Sequence, residues 1–180
     1  MFIMSENLNM VFNKVGENGP LILIFVNIFL MFKKMHFQFY YVLFALISAV
    51  LNTILKPLIK HPRPSIDKET FRAVLKRNER FIKRNGHPYD IFGMPSGHTQ
   101  SVIYSTVYNY LVFRENQMTV CFLVISLLTM FQRVVYNYHT VLQVIVGGII
   151  GIMIAYVAYY FAKHNVAGKF SIKPDDNCFL

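Results

Sequence analysis

Residues 140–162 read TVLQVIVGGIIGIMIAYVAYYFA and contain no Asp, Glu, Lys or Arg. A helix needs about 20 predominantly apolar residues to cross the hydrocarbon core of a bilayer, so this segment can span a membrane. Lys163 follows the segment directly. The stretch predicts an integral membrane protein built from helices.

Four more charge-free windows precede this segment, and each ends at or close to a basic residue. They are residues 18–32, 37–55, 99–113 and 116–132. The first window is also consistent with a partial or interfacial segment. The windows predict an all-α fold, a polytopic transmembrane bundle of about five to six helices. At 180 residues the chain has room for one domain, residues 1–180, with a motif-bearing core at 37–162.

The composition supports a membrane protein. The chain is 54% hydrophobic, with 17 phenylalanines, 11 tyrosines and no tryptophan. The formal charge of +9 would suit nucleic acid, but its cations flank apolar segments. Phosphate chemistry and anionic lipid headgroups explain this placement better, so no nucleic-acid partner is expected. Cys121 and Cys178 give no basis for a disulfide framework. The oligomeric state is left open.

One long connection, residues 60–94, holds nine of the 18 basic residues against four acidic ones. Phe71, Val74, Leu75 and Ile82 fit one side of a 3.6-residue period. This pattern predicts a short basic amphipathic helix on the membrane surface, and the alternative is a solvated polar loop. In the last span, Gly147 and Gly151 lie four residues apart, a spacing that either lets helices pack closely or is merely tolerated.

Counting membrane crossings places the polar motifs on one side of the bilayer. The second span ends at Lys56, the third begins after His98, the fourth ends at Arg133 and the fifth begins after His139. Two spans run away from this side and two run toward it, so all four residues are predicted to emerge on the same face. Arg63, in the connecting loop, is predicted to lie on that face too.

These residue types suit phosphoryl transfer. Arg63 presents a planar fork to phosphate oxygens, whereas Lys56 acts as a point charge. Residues 95–98, Pro-Ser-Gly-His, should open a helix whose free N–H groups favour an anion, with Ser96 as a further donor. Pro57, Pro62 and Pro64 are expected to prevent a regular helix around Arg63. The alternatives are membrane anchoring by the cations and ordinary helix capping by Ser96, and Lys60 and His61 fit anchoring better than catalysis.

The turn at residues 136–138 should bring Arg133 back to His139, because six helical steps would separate them by about 240°. One neutral imidazole could then attack phosphorus while a second, protonated imidazole gives a proton to the departing oxygen. Gln143 lies one helical turn after His139 on the same face. Without a cluster of carboxylates in the sequence, no metal and no cofactor are expected.

Three motifs together resemble the type 2 phosphatidic acid phosphatase superfamily, the lipid phosphate phosphatase and haloperoxidase-like group. Its pattern is Lys-x6-Arg-Pro, Pro-Ser-Gly-His and Ser-Arg-x5-His-x3-Asp, which here begin at Lys56, Pro95 and Gln132. The resemblance implies a phosphatase in which His139 is the nucleophile that becomes phosphohistidine and His98 is the acid for the leaving group. It also implies a set of phosphate-binding residues: Lys56, Arg63, Ser96, Gly97 and Arg133.

Two positions depart from this pattern: Gln132 replaces serine, and Gln143 replaces the aspartate that orients the nucleophilic histidine. The Gln143 carbonyl can still accept from the Nδ1–H of His139 and fix its tautomer. Residues 93–100 and 138–148 resemble the dolichyl-diphosphate phosphatase branch, which also has glutamine at this place in its last motif. That branch usually has serine where this chain has Gly97.

The branch resemblance implies a dolichyl or other polyprenyl diphosphate substrate, an endoplasmic reticulum membrane and a lumenal active site. Loop charge does not decide the orientation, because the face opposite the motifs is also basic, with Lys33, Lys34, Arg114, Lys163, Lys169 and Lys173. Three alternatives remain. They are a catalytically silenced binder of lipid phosphates, a phosphatase for phosphatidic acid or a small phosphate ester, and a pore or structural membrane protein.

Overall fold

A computed structural model describes residues 6–84 and 86–164. Cys178, Lys169 and Lys173 lie outside these residues. The described residues form six helices and one β-hairpin, in the order α1 (Glu6–Leu30), α2 (Met35–Ile59), α3 (Lys68–Lys76), β1 (Phe81–Arg84), β2 (His87–Asp90), α4 (Gly97–Phe113), α5 (Asn116–Val135) and α6 (Val141–Lys163). The predicted helical bundle is confirmed, and the two-stranded hairpin is an addition to it.

Within the described residues, three helices are long and apolar enough to cross a membrane: α2, α5 and α6. They correspond to the windows at 37–55, 116–132 and 140–162. Helix α4 has only 17 residues, and α1 carries polar residues through its first half. Membrane crossing by α1 and α4 therefore stays a prediction.

Helix α4 lies at the centre of the bundle and packs against α1, α2, α5 and α6. Its contact with α6 is close because two glycines face its backbone. A Cβ added at Gly147 would lie 2.6 Å from the carbonyl oxygen of Ser96, and one added at Gly151 would lie 2.5 Å from that of Gln100. Of the two interpretations of this glycine pair, the structure selects close helix packing.

A buried polar network fastens α1 to α2 and α4. Asn27 donates to the Ser105 carbonyl at 3.0 Å and to the Tyr41 hydroxyl at 3.3 Å. Asn109 donates to the Asn27 side-chain oxygen at 2.7 Å. Buried bonds of this kind hold packed helices together.

Helix α3 confirms the amphipathic helix predicted in the long connection, but its apolar side has a protein partner. Val74 is buried with Ile91 and Phe92, and other apolar residues of the loop pack around them. Ile82 was predicted to share the helix and instead lies in β1, because Asn78 takes a left-handed conformation (φ 56°) after the helix ends. The loop therefore has a small core of its own.

Of the three prolines expected to prevent a regular helix around Arg63, Pro57 does not interrupt α2, which continues through it to Ile59. Arg63 itself lies outside any helix, as expected. Proline removes the N–H that would bond to the carbonyl four residues earlier, which is that of Thr53. Arg80 supplies a replacement, since its Nη1 donates to the Thr53 carbonyl at 3.2 Å. The same helix ends with Lys56 in its last turn, as predicted.

Candidate active site

His139 lies at the centre of the site, in the turn between α5 and α6, and only 4% of it is exposed. The turn forms as predicted: Asn137 is left-handed (φ 55°), and the N–H groups of Tyr138 and His139 both donate to the Arg133 carbonyl. This geometry returns the chain from the end of α5 to the start of α6. It brings Arg133 and His139 together.

The hydrogen bonds of His139 determine its tautomer. Nη1 of Arg63 lies 3.3 Å from Nε2, and because a guanidinium can only donate, Nε2 must be the acceptor. Nδ1 therefore carries the proton and faces two acceptors, the Gly93 carbonyl at 2.9 Å and Oε1 of Gln143 at 3.1 Å. Burial, reinforced by the charge of Arg63, lowers the pKa of His139 to about 3. The ring is neutral, with its lone pair on Nε2.

Gln143 is fully buried and uses all of its hydrogen-bonding capacity. Its Oε1 also accepts from the Thr140 N–H at 3.1 Å, completing a capping box at the start of α6. Its Nε2 donates to the Pro62 carbonyl at 2.7 Å and to Nδ1 of His61 at 2.8 Å. The predicted acceptor role of the Gln143 carbonyl is therefore present in the geometry.

Arg63 is held by three contacts that fix its guanidinium beside His139. Its Nε donates to the Asp90 carbonyl at 2.7 Å, and its Nη1 donates to the Tyr138 carbonyl at 3.0 Å. Its guanidinium carbon lies 5.0 Å from the centre of the Tyr89 ring. The fork is thereby oriented by the hairpin and by the α5–α6 turn together.

Lys56 forms an ion pair with Asp90 at 3.2 Å, and Arg80 pairs with the same carboxylate at 2.9 Å. Burial alone would raise the pKa of Asp90, but the Arg80 bond, the Lys56 charge and the Phe92 N–H together hold it below its usual value. Asp90 therefore remains an anion among the cations. It links the end of α2 to the backbone that holds Arg63.

Arg133 is 7% exposed, and its Nε and Nη2 have no hydrogen-bond partner among the described residues. Its guanidinium stacks over the Tyr138 ring at 4.9 Å. A buried guanidinium with unmade bonds is expensive, and an anion supplied to the site would satisfy it. This is the strongest local indication of an oxyanion ligand.

The Pro-Ser-Gly-His segment opens α4, as predicted, with Ser96 at the N-cap position. Ser96 does not cap the helix with its side chain. It makes no capping bond, and its hydroxyl accepts from Thr99 at 3.0 Å. Gly97 begins the helix, and a Cβ there would lie 3.2 Å from Oδ1 of Asn52. His98 is the second residue of the helix and lies beside the Glu17 backbone of α1.

The five predicted cationic and histidine positions come to one end of the bundle. Arg63 contacts His139 directly, Arg133 holds the turn that carries it, and Lys56 joins them through Asp90. His98, in the first turn of α4, lies among the charges of Arg133, Arg63 and Lys56. Gln132 is separate, because its Nε2 donates to Asn13 of α1 at 2.6 Å.

Three contributors were missed by the sequence interpretation. Asp90 orients two cations, Gly93 supplies a carbonyl to His139, and His61, assigned to membrane anchoring, instead contacts Gln143. A lone acidic residue at the end of a basic loop was an available signal for Asp90. No group of three or more His, Cys, Asp or Glu side chains in the described part of the chain is placed to hold a metal ion.

Comparisons with known proteins identify the family and a similar fold. The sequence profile of the PAP2 superfamily matches residues 37–167. A similar solved structure is described as the first transmembrane PAP2 type phosphatidylglycerolphosphate phosphatase, from Bacillus subtilis. It superposes with a TM-score of 0.65 at 21% identity, covering 90% of this chain and 80% of that one. No curated protein sequence matches the chain.

Proposed function

The chain belongs to the PAP2 superfamily of membrane phosphatases, and from this premise we propose that it removes the terminal phosphate of a polyprenyl diphosphate through a phosphohistidine intermediate. The observation that carries the proposal is the arrangement of His139, whose Nδ1–H is held by two acceptors while Nε2 keeps its lone pair. The unpaired donors of Arg133 support an anionic ligand beside it.

In the first step, the Nε2 lone pair of His139 attacks the terminal phosphorus and an N–P bond forms. The P–O bond to the remaining lipid monophosphate breaks, and His98 gives its proton to that oxygen. Lys56, Arg63 and Arg133 stabilise the negative charge on the transferring phosphoryl oxygens, with Ser96 and Gly97 contributing donors at the helix start. Gln143 and the Gly93 carbonyl share the Nδ1 proton of the imidazolium.

In the second step, water attacks the phosphohistidine. His98 accepts a proton from that water, the N–P bond breaks, and inorganic phosphate leaves with His139 neutral again. We propose that neither step needs a metal ion, because the three cations supply the charge stabilisation that a metal would otherwise provide.

Gln143 supports a diphosphate over a phosphate monoester. A neutral amide orients the imidazole but, unlike a carboxylate, does not add to its nucleophilicity. A lipid monophosphate is a better leaving group than an alkoxide, so anhydride cleavage requires a less strong nucleophile and less proton donation. The resemblance of residues 93–100 and 138–148 to the dolichyl-diphosphate branch points to the same substrate class.

A lipid phosphate monoester is the second candidate. Its support is the fold similarity to a phosphatidylglycerolphosphate phosphatase. Both candidates place the lipid tail beside the helices and the headgroup among the cations.

The test is phosphate release by purified protein in detergent, with a chelator present, from polyprenyl diphosphate, phosphatidylglycerol phosphate and phosphatidic acid. We expect the highest kcat/KM for the diphosphate and no release by His139→Ala. Acid-labile phosphate on the wild-type protein after rapid quenching would support the covalent intermediate. Unchanged turnover in His139→Ala would exclude His139 as the nucleophile, and absence of release from every substrate would favour a silenced binder.

We also propose that the site faces the lumen of the endoplasmic reticulum. The sequence has no Asn-x-Ser/Thr acceptor, and His87→Thr creates one within the long connection. On expression with microsomes, a glycan on this variant is expected as a mobility shift. Modification of the same loop by a membrane-impermeant reagent added from the cytosolic side would contradict this orientation.

A further inference from the structure

His61 makes a specific contact that the phosphoryl-transfer scheme leaves unused. Its Nδ1 lies 2.8 Å from Nε2 of Gln143, and a side-chain amide nitrogen can only donate. Nδ1 of His61 also lies 3.2 Å from the Pro62 carbonyl, but that carbonyl accepts the shorter bond from Gln143 at 2.7 Å. With Nδ1 of His61 accepting from Gln143, the His61 proton lies on Nε2. The backbone of this residue is also fixed, because the Gly93 N–H donates to the His61 carbonyl at 2.8 Å.

The surroundings of Gln143 divide into two sides of opposite polarity. Two donors, the Nδ1–H of His139 and the N–H of Thr140, face Oε1, while two acceptors, the Pro62 carbonyl and Nδ1 of His61, face Nε2. A flipped amide would put its oxygen against two acceptors and its N–H groups against two donors. All four bonds would be lost in a fully buried environment, where unmade bonds are most costly.

This division matters because residue 143 is an amide. A carboxylate has two equivalent oxygens and can accept from His139 in either orientation, whereas an amide can do so in only one. If Gln143 turned, its N–H would meet the Nδ1–H of His139. The Nδ1–H of His139 would then keep only the Gly93 carbonyl as an acceptor, so the tautomer with its lone pair on Nε2 would be less favoured.

We propose that His61 is a positioning residue that holds the Gln143 amide with its carbonyl toward His139. It acts through Gln143 and does not touch the reacting atoms. The proposal rests on the function proposed above for His139, and it explains how this chain orients its histidine with a neutral side chain.

The kinetic test compares His61→Ala, His61→Asn and the control His87→Ala, which removes an exposed histidine from the hairpin of the same loop. Asparagine can place Oδ1 near the position of Nδ1 and keep the acceptor. We expect His61→Ala to lower kcat on the order of tenfold, as for outer contacts that orient a functional histidine. KM should change less than about twofold, and His61→Asn and His87→Ala should keep most of kcat. Equal kcat in His61→Ala and wild type would overturn the proposal.

A double-mutant cycle tests whether His61 acts through Gln143. In a Gln143→Leu background the amide is absent, so adding His61→Ala should cause no further loss of kcat. An undiminished loss in that background would show that His61 acts by another route, and the proposal would be wrong.

A spectroscopic measurement separates this proposal from the phosphatase proposal. Nitrogen-15 NMR of histidine-labelled protein should show His139 protonated on Nδ1 in wild type and His61→Asn, and a mixture of tautomers in His61→Ala. The signal is assigned with His139→Gln, and thermal melting in detergent identifies any variant that has not folded. A wild type without activity that still shows this tautomer shift would remove the phosphatase proposal and keep the positioning role. An unchanged tautomer in folded His61→Ala would remove the positioning role.

Discussion

Nη1 of Arg63 lies 3.3 Å from Nε2 of His139, so a guanidinium N–H points at the lone pair proposed to attack phosphorus. Attack requires that Arg63 give up this hydrogen bond and donate to another acceptor, and a phosphoryl oxygen is the natural one. As substrate binds, the Arg63 N–H would then exchange its hydrogen bond to His139 for one to the phosphoryl group. Phosphate binding and release of the nucleophile are thereby coupled in one side chain.

Arg63→Lys tests this coupling. Lysine keeps the charge but cannot bond at once to the Asp90 carbonyl, the Tyr138 carbonyl and a phosphate oxygen. We expect kcat/KM to fall roughly 100-fold, the effect of losing interactions worth about 3 kcal/mol. Arg84→Lys is the matched control, because Arg84 stacks on the same Tyr89 ring at 5.1 Å. Similar losses in both variants would contradict a specific role for Arg63.

Asp90→Asn removes the anion that orders the cations. Its carboxylate pairs with Lys56 and Arg80 and accepts from the Phe92 N–H at 3.1 Å. An amide in its place would turn an N–H toward a cation. We expect the free energy of unfolding to fall by roughly 1–3 kcal/mol, between the values for exposed and buried pairs.

Thermal melting and phosphate release in detergent measure the effect of Asp90→Asn. We expect a lower kcat/KM together with the lower melting temperature. Lys56 pairs with Asp90, and the backbone that holds Arg63 is positioned by Asp90. Glu79→Gln, at an exposed acid of the same loop, should leave both quantities near wild type. An Asp90→Asn protein with unchanged stability and activity would show that the ion pairs are dispensable.

The bundle and the convergence of the motifs could be predicted from the sequence. Both follow from the positions of the segments that lack charged residues. Charge-free windows located four of the five long helices, and the window at 18–32 covered only the second half of α1. Counting crossings placed Lys56, Arg63, His98, Arg133 and His139 at one end. The turn at residues 136–138 was also predictable, since a continuous helix could not have joined Arg133 to His139. These inferences needed only spacing and polarity.

The interior of the long connection could not be predicted in the same way. Ile82 matched the helical period of Phe71 and Leu75, yet the left-handed Asn78 ends the helix and starts the path into the hairpin. Only that path brings Asp90 to Lys56 and His61 to Gln143. Pro57 misled for a related reason, because the carbonyl it leaves unpaired finds Arg80, which lies 27 residues from Thr53 in sequence.

Gly147→Ala and Gly148→Ala form a matched pair for the contact between α4 and α6. A Cβ at Gly147 would lie 2.6 Å from the Ser96 carbonyl oxygen, a backbone atom that cannot rotate away. At Gly148 the nearest atoms, from Ile103 and Thr99, would lie 3.9 Å away, which is ordinary contact. We expect Gly147→Ala to destabilise the protein by about 1–3 kcal/mol through overpacking.

Gly148→Ala should be neutral or stabilising by up to about 1 kcal/mol, because alanine favours the helix. Melting temperatures of the two variants in detergent check the difference. Gly147→Ala should also lower kcat, since its Cβ would displace the start of α4, where Ser96 and His98 lie. Equal melting temperatures for the two variants would mean that α4 and α6 can move apart at this contact without loss of stability.

The pH dependence of stability tests the environment of His139. Burial, and then the charge of Arg63, lower the pKa of this histidine to about 3 in the folded protein, against about 6.5 in an unfolded chain. Between these values the unfolded chain binds more protons than the folded protein does. The contribution of His139 to stability is therefore complete above about pH 6.5 and is lost progressively as the pH falls toward 3. We expect wild-type protein to lose more thermal stability between pH 7 and pH 5 than His139→Gln, which has no group to titrate at this position. Nitrogen-15 NMR should show His139 still neutral at pH 5. Protonation of His139 between pH 6 and 7, or equal pH dependence in the two proteins, would contradict a buried neutral imidazole held beside Arg63.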